Sequence, residues 1–447
     1  MTNQDDYGWA TQFPSVARRR PEDASPETAP AAAASVEYDL TGGKVLIAAL
    51  RGALLMVPTL TLHRFWMITR LRRMIWNAVR VDGEPLEYTG RATELIFGFL
   101  VAVVVLAVIL GGANLALVFA GLVGGFDLGL AFNASLPLLI PLGYYAQYRA
   151  RRYLAARTRW RGLRFGMESG AVSYALHAVG HGLITLATLG ILYPRQHVML
   201  ARRQQNATWY GNIRFQQDAR WQPLIGPWLL AWALPLIIVL GAVQQNWTEL
   251  LALQSAADST PDDGDDPAVM EAIGLAMLNL SGAVFGALLL VWQLRRRYQA
   301  AAERALMAGL SLGPTRFEST LRTGTLLRID VRAAFSYLGI AVVAGAVGAA
   351  IFMGIFTSIA ASGVPPETYF QNPPASIFAL GALGYAAFLV PLIAIGWLTG
   401  VHWPLAARIE ALSLTGVVRL SDARQRDDDA AKEGGGFADA LDVGAGF

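Results

Sequence analysis

The residues best placed to do chemistry are His177 and His181, spaced i, i+4 in the apolar phrase "AVSYALHAVGHGLITLATLGILYP". On a helix that spacing puts both imidazoles on one face, as a metal ion or a proton relay requires. Glu168 ahead of the phrase, or His197 behind it, could add a third ligand. Paired histidines in an apolar helix more often hydrogen-bond locally, and no cysteine or acidic partner accompanies these. The expectation is therefore a ligand-holding or proton-relay pair and no metal. Arg51 lies inside a second apolar segment, "VLIAALRGALLMVPTLTLHRF". A guanidinium there marks a functional site by default, holding an anionic head group, a carboxylate or a buried acid, unless it snorkels to the surface. Arg51, His177, His181 and Glu168 form the candidate ligand or proton-relay set. Glu94 and Glu168 each stand where a helix begins, which suits a shared structural task.

Other chemistry has no support. The absence of cysteine excludes disulfides, thiolate metal sites and thiol nucleophiles. There is no G-x-x-x-x-G-K-[ST], G-x-S-x-G or H-E-x-x-H, and no dinucleotide fingerprint follows a strand. No catalytic residue and no cofactor are expected, and the protein is read as not an enzyme.

The elements that must position these residues are set by hydropathy and charge. The chain has 447 residues, 54% hydrophobic and 15% charged, with a mean hydropathy of +0.40. Six apolar segments read as spanning helices: about 93–122, 128–148, 223–246, 269–294, 334–361 and 376–401. They fall into three pairs. The loop inside the second pair carries Glu249, Asp258, Asp262, Asp263, Asp265, Asp266 and Glu271 and no basic residue, and the other two inner loops also lack arginine and lysine. Arginines fill the stretches between pairs, which predicts cytoplasmic connectors and three outward hairpins. Tryptophans such as Trp66, Trp160, Trp292 and Trp403 lie near helix ends, as an interfacial belt does, and not as a base-stacking platform. No nucleic-acid partner is expected.

The connectors repeat. "VRVDGEPLEY", "TRWRGLRF", "TWYGNIRF", "LSLGPTRF" and "LSLTGVVRL" each place a glycine, Gly83, Gly162, Gly211, Gly313 or Gly416, between β-formers. Each predicts a short β-hairpin after a helix, and five of them could assemble into a sheet or ring, since a lone hairpin is marginal in water. Two more apolar segments, 45–65 and 171–194, remain; the second has arginine-rich stretches on both flanks, so a single crossing there would violate the charge pattern. Either they re-enter, bending near Pro58 and near Gly180–Gly182 or Gly190, or they span and bring the total to eight. The predicted fold class is an all-α transmembrane helical bundle of 6 to 8 spanning or re-entrant helices with short cytoplasmic β-hairpins. Its divisions are a disordered tail over 1–43, a membrane domain over 44–420 and a second disordered tail over 421–447.

The phrases "LRRMIWNAVRVDGEPLEYTGRATELIFGFL", "RTRWRGLRFGMESGAVSYA" and "LITLATLGILYPRQHVMLARRQQNATWYGNIRF" together resemble the YjgN family of bacterial multi-pass inner-membrane proteins. The likeness covers about residues 45–420, is best in the first half and departs from the pattern after about 295. It implies an inner-membrane location. The family has no assigned biochemical function, so the resemblance supplies no catalytic residue.

Two functions are consistent with this reading. The leading one is a transporter-like or channel-like protein handling a small or anionic ligand at Arg51, His177 and His181. The other is a non-catalytic membrane scaffold, with Arg70, Arg72, Arg73, Arg151, Arg152, Arg202 and Arg203 on anionic lipid head groups and the hairpins recruiting a cytoplasmic partner. Both place the chain in the bacterial inner membrane with cytoplasmic termini and anionic phospholipid as neighbour.

Overall fold

The computed structural model describes residues 33–125, 136–251, 267–363, 367, 371, 375–416 and 423–426. Its organising element is a closed antiparallel sheet. The strands are β1 (Ala33–Ala34), β2 (Val36–Tyr38), β3 (Val79–Val81), β4 (Glu84–Tyr88), β5 (Thr158–Trp160), β6 (Leu163–Met167), β7 (Thr208–Tyr210), β8 (Ile213–Gln217), β9 (Leu310–Leu312), β10 (Thr315–Ser319) and β11 (Leu412–Thr415). They hydrogen-bond in the order β1-β11-β10-β9-β8-β7-β6-β5-β4-β3-β2. β1 and β2 are one extended segment interrupted at Ser35. Ala34 pairs with Leu414 at one edge while Val36 pairs with Val81 at the other, so the first described residues close the ring.

This overturns the all-α bundle. The hairpins are not separate ornaments between helices, because each leaves two edges of unpaired backbone that only neighbouring hairpins can satisfy. The fifth differs from the expectation in its pairing: β11 meets β10 on one side and the N-terminal segment on the other. The tail predicted to run to residue 43 is thus strand from Ala33.

Alternation along the strands explains the barrel. In Leu163-Arg164-Phe165, Ile213-Arg214-Phe215 and Thr315-Arg316-Phe317 the arginine faces out and the phenylalanine in. The ring centroids of Phe165 and Phe215 are 6.4 Å apart, and those of Phe215 and Phe317 are 6.2 Å apart. These rings join Trp160, Tyr210, Leu312 and Leu414 in a packed interior. The turns need special backbone: Asp82 and Gly83 have φ of 54° and 78°, and Arg161 and Gly162 have 50° and 77°, the two-residue hairpin geometry whose twist matches the strands. Asp82 and Arg161, on neighbouring tips, pair at 2.8 Å. Ala423 reaches the same interior, and the Arg424 N–H donates to Asn212 Oδ1, so residues 423–426 clip over the rim. The chain described beyond Ser421 is packed and not a free tail.

Helical hairpins connect the β-hairpins. α1 (Gly42–Met56) and α2 (Arg64–Ala78) join β2 to β3; α3 (Ala92–Gly124) and α4 (Leu139–Ala156) join β4 to β5. α5 (Ala171–Ala187) and α6 (Tyr193–Asn206) join β6 to β7; α7 (Ile225–Gln245) and α8 (Pro267–Ala308) join β8 to β9. α9 (Thr323–Ser362), α10 (Ala375–Trp397), a π-turn at Leu398–His402 and α11 (Trp403–Glu410) join β10 to β11. Every helical hairpin therefore leaves the barrel and returns to the next strand. The segments 45–65 and 171–194 turn back at 57–63, which contains Pro58, and at 188–192, which contains Gly190.

Among the described residues, five helices are long and apolar enough to cross a membrane: Ala92–Gly124, Gln222–Gln245, Met270–Ala308, Thr323–Ser362 and Ala375–Glu410. The expected sixth, 128–148, lies partly outside the described residues. Its described part, 136–148, runs into α4, whose Arg149, Arg151 and Arg152 stand beyond the predicted span. The three inner loops, with the aspartates at 262–266, also lie mostly outside. At 1.5 Å per residue α8 and α9, 42 and 40 residues long, extend about 60 Å, roughly twice a hydrocarbon layer. The surplus lengths stand between the apolar windows and the barrel.

Candidate functional site

The clefts where helices meet barrel hold the ionisable residues. The first begins with close packing of α1 on α2. A Cβ on Gly52 would lie 2.3 Å from Met67 Cγ, so glycine lets the helices approach and seal Val45, Ala49, Met67 and Leu71 into a core. On α2 the residues Trp66, Arg70 and Arg73 recur on one face. Arg51 from α1 and Arg91, which precedes α3, reach the same cleft, about 620 Å³, together with His63. Four guanidiniums line it and no carboxylate does. Arg73 donates to the Gly90 carbonyl at 2.9 Å. Arg51, Arg70 and Arg91 form no ion pair among the described residues.

A separate cleft of about 640 Å³ contains His177, His181 and Glu168 with Arg202, Arg203 and Arg214. The i, i+4 pair does share a face. His177 Nδ1 lies 2.7 Å from the Ser173 carbonyl, and His181 Nδ1 lies 3.2 Å from Arg195 Nη1. Both imidazoles are thus engaged locally. Glu168 pairs with Arg214, and Glu94 pairs with Arg157 at 3.0 Å and accepts from the Tyr153 hydroxyl at 3.1 Å. No group of three or more histidine or acidic residues that could hold a metal occurs among the described residues. Arg51 belongs to a different helical hairpin and does not join the histidines.

The seven candidate head-group arginines divide by environment. Arg70 and Arg73 open onto the first cleft, and Arg202 and Arg203 onto the second. Arg203 donates to Ser173 Oγ, and Arg202 to the Ala219 carbonyl. Arg72 is 8% exposed, with its guanidinium against the Tyr88 ring. Arg151 donates to Gln204 and Arg152 to the Met167 carbonyl, tying α4 to its neighbours.

A third cavity, about 700 Å³, lies among α6, α7, α8, α9 and α11 and was not legible in the sequence. Tyr193 stacks on Trp228 with centroids 4.5 Å apart, and Trp228 meets Tyr298 at 5.2 Å. Arg296 pairs with Asp330, to which the Trp292 indole also donates, at 2.8 Å. The only early signal was the i, i+4 spacing of Tyr193 and His197 on α6, because the remaining walls come from distant segments.

His197 Nδ1 lies 3.1 Å from the Tyr298 hydroxyl, and burial drives the imidazole below its ordinary range. The sign of the linkage follows. In the unfolded chain the ring takes up a proton at about pH 6.5, whereas the folded chain resists it until lower pH, so acidification below about pH 6.5 favours unfolding. Above that pH the group contributes no slope. Replacing His197 with Gln is expected to flatten the decline in thermal stability between about pH 7 and pH 5, read from unfolding curves of the purified protein. An unchanged slope would remove His197 as its source.

No curated protein and no solved structure matches the chain. The family described as bacterial protein of unknown function (DUF898) matches residues 35–339, from the ring-closing strand into α9. That span covers well over half of the sequence and contains the first four β-hairpins with the clefts of Arg51 and of His177. The protein is a membrane protein of the DUF898, or YjgN, family.

Proposed function

We propose that this chain is a non-catalytic inner-membrane protein that holds anionic phospholipid head groups in its arginine-lined clefts and presents the barrel, on the cytoplasmic side, to a soluble partner. The observation that carries the reading is the cleft of Arg51, Arg70, Arg73 and Arg91, which gathers four cations without a carboxylate. Like charges at such spacing repel, and an anion relieves that cost. The cleft sits beside Trp66 at the junction of apolar helix and polar barrel, the level of lipid phosphates. The cytoplasmic side follows from the arginines concentrated around the barrel. The packed barrel interior suits a platform better than a pore. The transport reading relied on one site combining Arg51 with the histidines, and these line separate clefts.

The test uses the full chain in zwitterionic nanodiscs, titrated with phosphatidylglycerol and followed by native mass spectrometry. Each basic residue near a membrane surface contributes about 1 kcal/mol toward anionic lipid, so Arg51→Gln, Arg70→Gln and Arg91→Gln together should weaken retention about 100-fold. Arg73 is left intact because it holds the Gly90 carbonyl. Equal retention by the folded triple variant would end the proposal.

A further inference from the structure

We propose that the cavity between Tyr193, Trp228, Arg295 and Asp330 is a second, independent binding site, for a single-chain amphiphile bearing one negative charge. Its volume, about 700 Å³, is in the range of roughly 300–1,000 Å³ occupied by small-molecule sites. Its shape argues for a chain. The lining runs along α8 from Val291 to Leu306, about 22 Å of helix, an elongated lining whose accessible apolar side chains lie toward the membrane-spanning part.

Charge selects the head. Three arginines and two carboxylates line the cavity. Arg296 pairs with Asp330, and Arg408 lies 3.8 Å from Glu303. Arg295 is left over, exposed and without an ion pair among the described residues. The neutral His197 adds no charge. One surplus guanidinium beside Tyr193 favours one negative charge on the occupant.

The body follows from the walls beyond that polar belt. Trp232, Val291, Ile329 and Ala333 keep accessible surface in the cavity and offer an apolar slot to an acyl chain, whereas Ala302, Leu306, Leu321 and Leu326 toward the barrel are packed in the core. The head then rests at Arg295 and the chain points past Val291 into the apolar stretch of α8. A free fatty acid and a lysophospholipid with one anionic phosphate share this chemistry, and the assay separates them.

The experiment measures binding of tritiated stearate to the purified full chain in zwitterionic nanodiscs, with lysophosphatidylglycerol and neutral monostearoylglycerol as competitors. Saturable binding of one stearate per chain is expected, displaced by unlabelled stearate or by lysophosphatidylglycerol, whichever head the site prefers. Monostearoylglycerol should compete at least tenfold less well. Arg295→Gln, which breaks no ion pair, should weaken binding about tenfold while keeping native thermal stability. Ile329→Trp should block the slot. The Arg51, Arg70 and Arg91 triple variant should bind stearate as the native chain does, so that failure of the lipid-cleft proposal is distinguishable from failure here. Non-saturable uptake, equal competition by the neutral lipid, or unchanged affinity in a folded Arg295→Gln chain would each overturn the proposal.

Discussion

Gly309→Ala is expected to destabilise the folded chain by about 3 kcal/mol or more, through overpacking together with a lost buried hydrogen bond. Gly309 follows α8 and lies under the polypeptide that leaves β8. A Cβ there would stand 2.4 Å from the Ala219 nitrogen, 2.4 Å from Gln217 Oε1 and 2.6 Å from Ala219 Cα. Two of these three atoms are backbone, so no side-chain rotation relieves the clash. The region is also a satisfied polar clamp. Gln217 is 1% exposed, donates to the Leu306 carbonyl at 2.8 Å and to Gln205, and accepts from the Ala219 N–H at 2.8 Å. Its own N–H donates to Asn206 Oδ1 at 2.8 Å, so one amide side chain ties α6, β8 and α8 together. Displacing it leaves buried donors and acceptors unmade. The measurement is chemical unfolding in mild detergent. The control is Gly324→Ala in the first turn of α9, where a Cβ meets nothing within 4 Å and the change in stability should stay below the roughly 1 kcal/mol gained in a helix interior. Equal effects of the two substitutions would show that the clamp is not under steric constraint.

Removing residues 1–38 should have the larger consequence, about 5–10 kcal/mol, comparable with the entire stability of a domain. The lost segment pairs with β11 and with β3, the Ser35 carbonyl accepts from the Asp82 N–H at 2.9 Å, and Val36 packs on the barrel interior. Tyr38 also reaches His402 Nδ1 at 2.9 Å, linking the strand to the π-turn after α10. Without the segment, Leu412–Thr415 and Val79–Val81 become open edges, which pair with other chains or fray. Hydrogen exchange should accelerate by orders of magnitude at those two strands first, with α7 and α8 retaining protection. A synthetic peptide spanning 31–40, added in trans, should restore part of the protection. A truncated chain with native exchange at both edges would show that the ring does not depend on its closing strand.

Legibility in the sequence followed the distance over which each signal acts. The hairpins could be read because turn glycines and alternating strands are local: "TRWRGLRF" and "TWYGNIRF" each contain a whole hairpin. The bent course of 171–194 was open to charge reasoning, since arginines on both flanks disfavour a single crossing, and that of 45–65 was signalled by Pro58. Ring closure was not accessible, because "AASVEY" finds its partner near Leu414, far along the chain, and a polar, alanine-rich flank resembles a disordered tail. The site residues divide the same way. His177 and His181 were placed correctly relative to each other by helical spacing, but no periodicity reveals that Arg51 belongs with Arg70, Arg73 and Arg91 and not with the histidines. The cavity of Arg295 draws its walls from five helices, so nothing within one segment announces it.

The segment that seals the ring is made well before the strand it must meet. A nascent chain emerging from the ribosome can pair Val36–Tyr38 with Val79–Val81 early, but Ala33–Ala34 must wait for Leu412–Thr415, which is synthesised far later. Each membrane insertion event in between takes place with one edge of the growing sheet exposed. Completion of the sheet is therefore tied to synthesis of Leu412–Thr415, and a product ended before that strand would carry an open, adhesive sheet that quality-control proteases can recognise.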